Sequence, residues 1–335
     1  MAARVRRLAL LLPLLAAAPA LAQEKPSFDC AKASTVIERT ICATPDLARG
    51  DREMASTYFA LLSHLSGAAK EHLLKDQARW LAARDKACGG LAETVPLCLK
   101  QHFEARTATL RVFADGVYPF VSERAIVKTG KIGRIAYSID AAWPQFDGNS
   151  ADFTAVNRRF AGDTSKGIGE ATPTSDAASG DPRDQIWAFQ QWFALQRPSA
   201  HAIAVAISSY TYTGGAHPYG GTWASLVDLR TGRFAGPAEV FKAGDNWLKT
   251  LLSLVQTDLR KQFAAGHPGF DDAIETNKLA KTLRDPGLYY FRSGGLQLIF
   301  NPDEIGPYAA GKYEVNIPYA ALRPLLAPDG PLGDI

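Results

Sequence analysis

Four cysteines constrain this chain more than any other feature. Cys30, Cys42, Cys88 and Cys98 all fall in its first third, and none occurs in the two hundred residues that follow. An even number in an oxidising compartment predicts two disulfides, confined to one small front region. Three pairings are open on sequence alone. Cys30–Cys42 with Cys88–Cys98 closes two short local loops and is the expected arrangement. The nested pairing, Cys30–Cys98 with Cys42–Cys88, remains the alternative. Each bond is worth roughly 2–4 kcal/mol through its constraint on the unfolded chain. No C-x-x-C pair occurs, which argues against a zinc site or a redox site.

The compartment is read from the first residues. Arg4, Arg6 and Arg7 precede an apolar run from Leu8 to Leu21, and Ala20-Leu21-Ala22 has small residues at the cleavage spacing. Residues 1–22 are expected to be a secretory signal peptide, cut near Ala22 and leaving a periplasmic or secreted protein. The run is too short to span a bilayer. No cysteine follows the cut and no later segment reads as a membrane helix, so no membrane anchor is expected. The whole chain has 37 bases and 34 acids; without the leader's three arginines these balance, 34 against 34. Nothing in that balance favours nucleic acid or an acidic polymer.

Residues 23–115 read as a helical domain. Thr35-x-x-Glu38 is a capping box opening a short helix that ends near Cys42. Thr44-Pro45-Asp46 opens a second helix, with Leu47, Met54, Tyr58 and Leu61 at helical spacing, which breaks near Ser66-Gly67. A third carries Leu73, Leu74, Gln77, Trp80, Leu81, Arg84 and Cys88 largely on one side and stops at Gly89-Gly90. A fourth begins near Pro96 with Leu99, Phe103 and Leu110. Gln77, Trp80, Arg84 and Asp85 read as structural: Trp80 and Leu81 as core, Arg84 as the partner of a carboxylate or a helix end.

Within this region Phe28-Asp-Cys30, Glu38-x-x-Ile-Cys42, Asp46-Leu47, Asp51-x-Glu53-Met54 and Tyr58 are followed by Gln77-x-x-Trp80, Arg84-Asp85-x-x-Cys88 and Cys98-Leu99. The series resembles the LprI-type N-terminal domain, a small secreted module named after a mycobacterial lysozyme-inhibiting lipoprotein. The resemblance covers all four cysteines and implies a lysozyme ligand. The namesake's lipid-attachment cysteine has no counterpart here.

Residues 116–335 read as an α+β domain with an antiparallel sheet. Ile132 to Ile139 is expected as a strand, left by Trp143-Pro144, with a helix from Asp152 to Phe160. Gly162 to Pro182, rich in Gly, Ser, Thr and Asp, reads as a long loop. Asp184 to Leu195 and Ala202 to Tyr212 alternate as two long strands, followed by Thr222 to Leu229 and a turn at Asp228–Arg233. Asn246 to Phe263 is an amphipathic helix. Leu288 to Phe291 and Leu296 to Phe300 form a hairpin, and Tyr313 to Ile317 a last strand before a short helix from Tyr319.

Between two strands lies Tyr210-Thr-Tyr212-Thr-Gly214-Gly215-Ala-His217-Pro218-Tyr219-Gly220-Gly221. Its glycines permit sharp turns, and Pro218 keeps His217 out of the helical region. Tyr212, Gly214, Gly215, His217, Pro218 and Tyr219 are therefore the candidate binding residues on a stiff displayed loop. A wide hairpin whose histidine bonds to backbone is the plainer reading. Tyr212-x-Gly214-Gly215-Ala216-His217-Pro218 with Asp228-Leu-x-Thr231-Gly232, and then Phe300-Asn-Pro302-x-Glu304-Ile305-Gly306-Pro307-Tyr308, resembles the RsiV-type domain. That domain is the extracytoplasmic half of a lysozyme-sensing anti-sigma factor. The likeness implies binding of lysozyme, or of a cell-wall glycan.

Catalytic constellations are thin. His217 with Asp228 lacks a nucleophile elbow. Asp271-Asp272 and Asp303-Glu304 sit in turn-like surroundings. His201, His217 and His267 are scattered, so no metal is expected, and no phosphate-binding glycine pattern points to a cofactor. The expected function is a non-enzymatic binding protein that occludes the cleft of lysozyme or another muramidase. A peptidoglycan or glycan-binding module is the alternative, and a cell-wall glycan hydrolase or deacetylase a more distant one.

Overall fold

The computed structural model describes residues 24–90, 93–114, 119–148, 150–175, 177, 185–244 and 246–335; the leader lies outside them. The capping box forms as its residues require: Thr35 accepts from the Glu38 amide, and Glu38 returns a bond to the Thr35 amide. It opens α1 (Val36–Ala43), followed by α2 (Pro45–His64), α3 (Gly67–Ala87) and α4 (Val95–Arg111). The cysteines pair locally, Cys30 with Cys42 and Cys88 with Cys98. Trp80 is buried, with the Arg84 guanidinium over its ring while Arg84 also pairs with Asp85 at 2.6 Å. Leu74 and Leu81 correct the expected stripe. Both are exposed, because the inward face runs Leu73, Asp76, Gln77, Trp80 and Arg84.

After the helices comes a six-stranded sheet in chain order: β1 (Phe120–Ile132), β2 (Ile135–Asp147), β3 (Gln185–Ser199), β4 (Ala202–Tyr212), β5 (Tyr219–Asp228) and β6 (Arg233–Ala235). The expected strand at 132–139 straddles a turn. Gly133, at φ +57°, folds β1 back on β2, and Trp143-Pro144 lies inside β2 rather than leaving it. All neighbours are antiparallel except β2 and β3, which run parallel. A parallel pair needs a crossover, and α5 (Thr154–Ala171) supplies it. The expected loop from Gly162 is therefore helix as far as Ala171. One of its glycines serves packing: a Cβ at Gly167 would come within 2.7 Å of the Phe189 ring, so glycine there lets the helix lie close on the sheet, whereas Gly162 and Gly169 face open space. Val156, Phe160 and Thr164 are buried on that side.

The remaining chain builds a second sheet, β7 (Tyr289–Arg292), β8 (Gly295–Phe300) and β9 (Tyr313–Pro318), with α6 (Pro237–Val240), α7 (Asn246–Ala264), α8 (Thr276–Thr282) and α9 (Tyr319–Leu322). One core joins α7, the second sheet and the Ala204, Ala206, Ala224 and Leu226 face of the large sheet. Another runs from α1–α4 into the opposite face through Phe193, Leu195, Ile203 and Val205. The fold is thus a disulfide-linked helical region followed by an α+β region of largely antiparallel sheets.

The helices meet the sheet through buried charge. Arg106 of α4 pairs with Asp76 of α3 at 2.7 Å, and Asp76 accepts from the Glu123 amide of β1 at 2.8 Å. Burial pushes the Glu123 carboxyl up to about 7 against the pull of Arg106, and Asp140 up to about 6. Burial lowers His102, 3.9 Å from Asp140, to about 4. A carboxyl with a raised folded pKa contributes stability below its ordinary value and loses it as pH rises through the folded one. For Glu123 that window runs from 4.5 to about 7. His102 acts in the opposite direction, with its contribution full above 6.5 and lost as pH falls toward about 4. Above 6.5 Glu123 titrates without that opposition. Glu123→Gln should therefore be more stable than the native chain near pH 8 by about 1–3 kcal/mol. The advantage should fade toward pH 4.5, the ordinary value for this carboxyl. Urea unfolding at both ends of that range is the measurement; an equal difference at both would exclude titration as the cause.

Candidate functional site

The Gly-Gly loop connects the end of β4 to the start of β5. Gly214 and Gly215 hold φ of +87° and +100°, the left-handed region that side chains disfavour. A Cβ on Gly214 would also press within 3.0 Å of the Gln185 side chain. The Tyr212 hydroxyl donates to the Gly215 carbonyl at 3.2 Å, closing the turn from within. His217 is exposed, with Nδ1 2.9 Å from the Pro218 carbonyl. Its ring lies 4.2 Å from that of Tyr308 and 5.1 Å from that of Tyr219. The plainer sequence reading, a histidine bonded to backbone, describes its nitrogen. The aromatic neighbours go beyond it.

Tyr308 belongs to the second glycine-containing motif, 90 residues on, and its hydroxyl donates to the Pro218 carbonyl. Asn301 of the same motif is buried. Its Oδ1 accepts from the Thr222 amide at 2.7 Å, and its Nδ2 donates to the Thr222 carbonyl at 3.2 Å. β6 pairs only with Leu226 to Asp228, so the earlier part of β5 has β4 on one side alone. The Asn301 amide takes the position that a neighbouring strand would hold and shields that edge. The Asn301 amide N–H in turn donates to Glu304 at 2.8 Å. Asp303, between them, has φ +71°, so the turn stores backbone strain. Burial raises the Glu304 carboxyl above its usual range.

These contacts border a groove of about 850 Å³ between α5, the sheet and the Asn301–Tyr308 turn. Phe189 and Ile207 lie along it, with Trp223 and Phe234 on its walls and Tyr219 at its mouth. A Cβ at Gly221 would meet the Trp223 indole at 2.7 Å, so glycine there leaves room for the ring. This is a concave surface of apolar rings and convergent polar groups, the usual chemistry of a small-molecule site.

Of the six candidate loop residues, Tyr219 lines the groove, and His217 and Pro218 touch it through Tyr308. Tyr212, Gly214 and Gly215 shape the loop without lining the groove. Trp223, Phe234 and Asn301 were not among the candidates. Trp223 was legible as a large aromatic on the face that Tyr219 also occupies, two strand periods along. Asp228 sits at the far end of β5 from the loop and pairs with Arg230 at 3.1 Å, so it does not approach His217. Among the described residues Cys88, Cys98 and His102 bring ligand-type atoms within 4.8 Å, but both sulfurs are consumed by their disulfide.

Residues 29–110 match the family model described as Lysozyme inhibitor LprI, a span holding all four cysteines. Residues 238–320 match the model described as a protein of unknown function, DUF3298. The second match takes in Asn301 and Tyr308 and begins beyond the Gly-Gly loop. No curated protein matches the chain. Among solved structures, a DUF3298 family protein from Pseudomonas aeruginosa PAO1 is similar at 18% identity and a TM-score of 0.43, covering 64% of this chain and 98% of that one. A DUF3298 family member from Bacteroides fragilis is similar at 16% identity and a TM-score of 0.42, covering 62% and 94%.

Proposed function

We propose that this is a lysozyme-binding protein of the lysozyme-inhibitor kind, working outside the cytoplasm and acting by binding rather than by catalysis. The observation that carries the reading is the match of residues 29–110 to the LprI lysozyme-inhibitor model. The two disulfides are compatible with an extracytoplasmic site. Among the described residues no helix is long and apolar enough to cross a membrane. The RsiV-type likeness of the Gly-Gly loop and the Asn301–Tyr308 turn points to the same ligand, and the contacts between these motifs support their acting together.

Lysozyme cleaves with two carboxylates in a cleft, so filling the cleft is enough to stop it. A stiff loop bearing His217 and Tyr219 suits that purpose, because little ordering is needed on binding. The test is lysis of bacterial cell walls by a panel of lysozymes, with and without the purified protein. Dose-dependent protection at one-to-one stoichiometry is expected. Joint replacement of His217 and Tyr219 by alanine should weaken it roughly tenfold or more. Absence of both protection and binding across the panel would retire this reading. Protection untouched by the double replacement would move the contact elsewhere on the protein.

A further inference from the structure

The groove beneath the loop has a chemistry of its own, and we infer that it binds an uncharged oligosaccharide. This does not rest on the lysozyme reading. Trp223 is 50% exposed and Tyr219 67% exposed, both on the groove side of β5, with Phe234 at 37% on the neighbouring β6. Rings of this size are left open to water at a concave surface, where the apolar C–H face of a sugar could stack on them. Around them stand groups that mostly accept. Asp163, Glu170, Asp285, Asp303 and Glu304 all line the groove, against the cations Arg159 and Lys166. Two of the acids pair with these cations, Asp163 with Arg159 at 2.6 Å and Glu170 with Lys166 at 3.8 Å, which leaves Asp285, Asp303 and Glu304 in excess. The hydroxyls of Ser209, Thr211 and Ser225 add further polar positions.

A ligand for this surface needs apolar faces alternating with many hydrogen-bond donors, and a saccharide has both. The excess of carboxylates disfavours an anionic glycan through like-charge repulsion. An added peptide strand is disfavoured too, because the Asn301 amide already occupies both polar groups of Thr222 on that edge of β5. At about 850 Å³ the groove has room for several sugar rings rather than one.

The experiment is calorimetric titration of the purified protein with oligomers of N-acetylglucosamine and of glucose, and with oligogalacturonate and oligolysine as the anionic and cationic probes. A neutral oligosaccharide should bind, tighter with length, and oligogalacturonate at least about tenfold more weakly. Trp223→Ala removes an exposed ring and should weaken the neutral sugar about tenfold with unfolding unchanged. Ser225→Trp fills the groove while leaving Trp223 in place and should abolish binding. No binding of either neutral series, equal binding by both variants, or binding of oligogalacturonate or oligolysine in preference would each overturn the proposal.

Discussion

Replacing Arg106 by methionine is expected to destabilise the protein by about 2–4 kcal/mol, because it strips the closer of two cationic partners, Arg106 at 2.7 Å against Arg79 at 3.6 Å, from a carboxylate that has no access to water. Asp76 is fully buried and Arg106 nearly so. Arg106 also donates through Nε and Nη2 to Gln77 Oε1, at 3.0 and 2.9 Å, and its guanidinium lies over Trp80. Gln77 in turn donates to the Met54 sulfur. One side chain thereby ties α2, α3 and α4 together, and through Asp76 it reaches β1. Urea unfolding is the check, and a loss below about 1 kcal/mol would show that water reaches Asp76 after all. The pair itself need not be worth that much. Replacing Asp76 by leucine together with Arg106 by methionine should recover part of the loss, since apolar residues of similar volume often replace a buried pair at little cost. Recovery should be incomplete, because the Glu123 amide loses its acceptor.

That pair is readable in the sequence from helical spacing. Leu73, Gln77, Trp80 and Arg84 were placed on one face of α3, and Asp76 stands on the same face at helical spacing. Leu99, Phe103 and Leu110 marked the inward face of α4, and Arg106 falls between them. An acid and a base of opposite sign, each on an apolar stripe, were a signal that two helices would bury them together. Leu74 and Leu81 are leucines, yet they lie one position off that face and stay in water. Apolar identity misled where angular position would not have.

The sheet was legible where burial alternates, as in β3 and β4, and illegible where it does not. β1 has few buried positions beyond its first residues, so nothing in Glu123 to Ile132 alternates clearly enough to announce a strand. It is held by pairing with β2 over its whole length. The α5 crossover was hidden by Gly162, Gly167 and Gly169, which read as loop because helix propensity penalises glycine. Packing on Phe189 overrides that penalty at Gly167. The site was half legible: the two motifs were each visible, but the contact between residues 80 to 90 positions apart is a property of the fold. Short-range patterns carry no information about it.

Asn301→Ala is the second large expected effect, and it reaches the site directly. Thr222 and Asn301 are both buried, so removing the amide leaves the Thr222 N–H and C=O without partners in a place poorly reached by water. Each orphaned group costs about 1–3 kcal/mol, so a loss of roughly 2–6 kcal/mol is expected for the two together. The damage should be local in character as well. With the amide gone, β5 regains an open edge and the turn carrying Tyr308 loses its anchor. The Tyr308 bond to Pro218 and the ring contact with His217 would then loosen. Amide hydrogen exchange at Thr222 should accelerate far more than exchange at the β3–β4 core. Asn301→Asp separates the two bonds, since it keeps an acceptor for the Thr222 amide and places a carboxylate oxygen against the Thr222 carbonyl. It should fall between native and alanine in exchange at Thr222, and it should lower stability more at neutral pH than in acid, where the protonated carboxyl can donate again. A stable Asn301→Ala variant with Thr222 still protected would mean that another group closes the edge, and the two motifs would then be neighbours without being coupled.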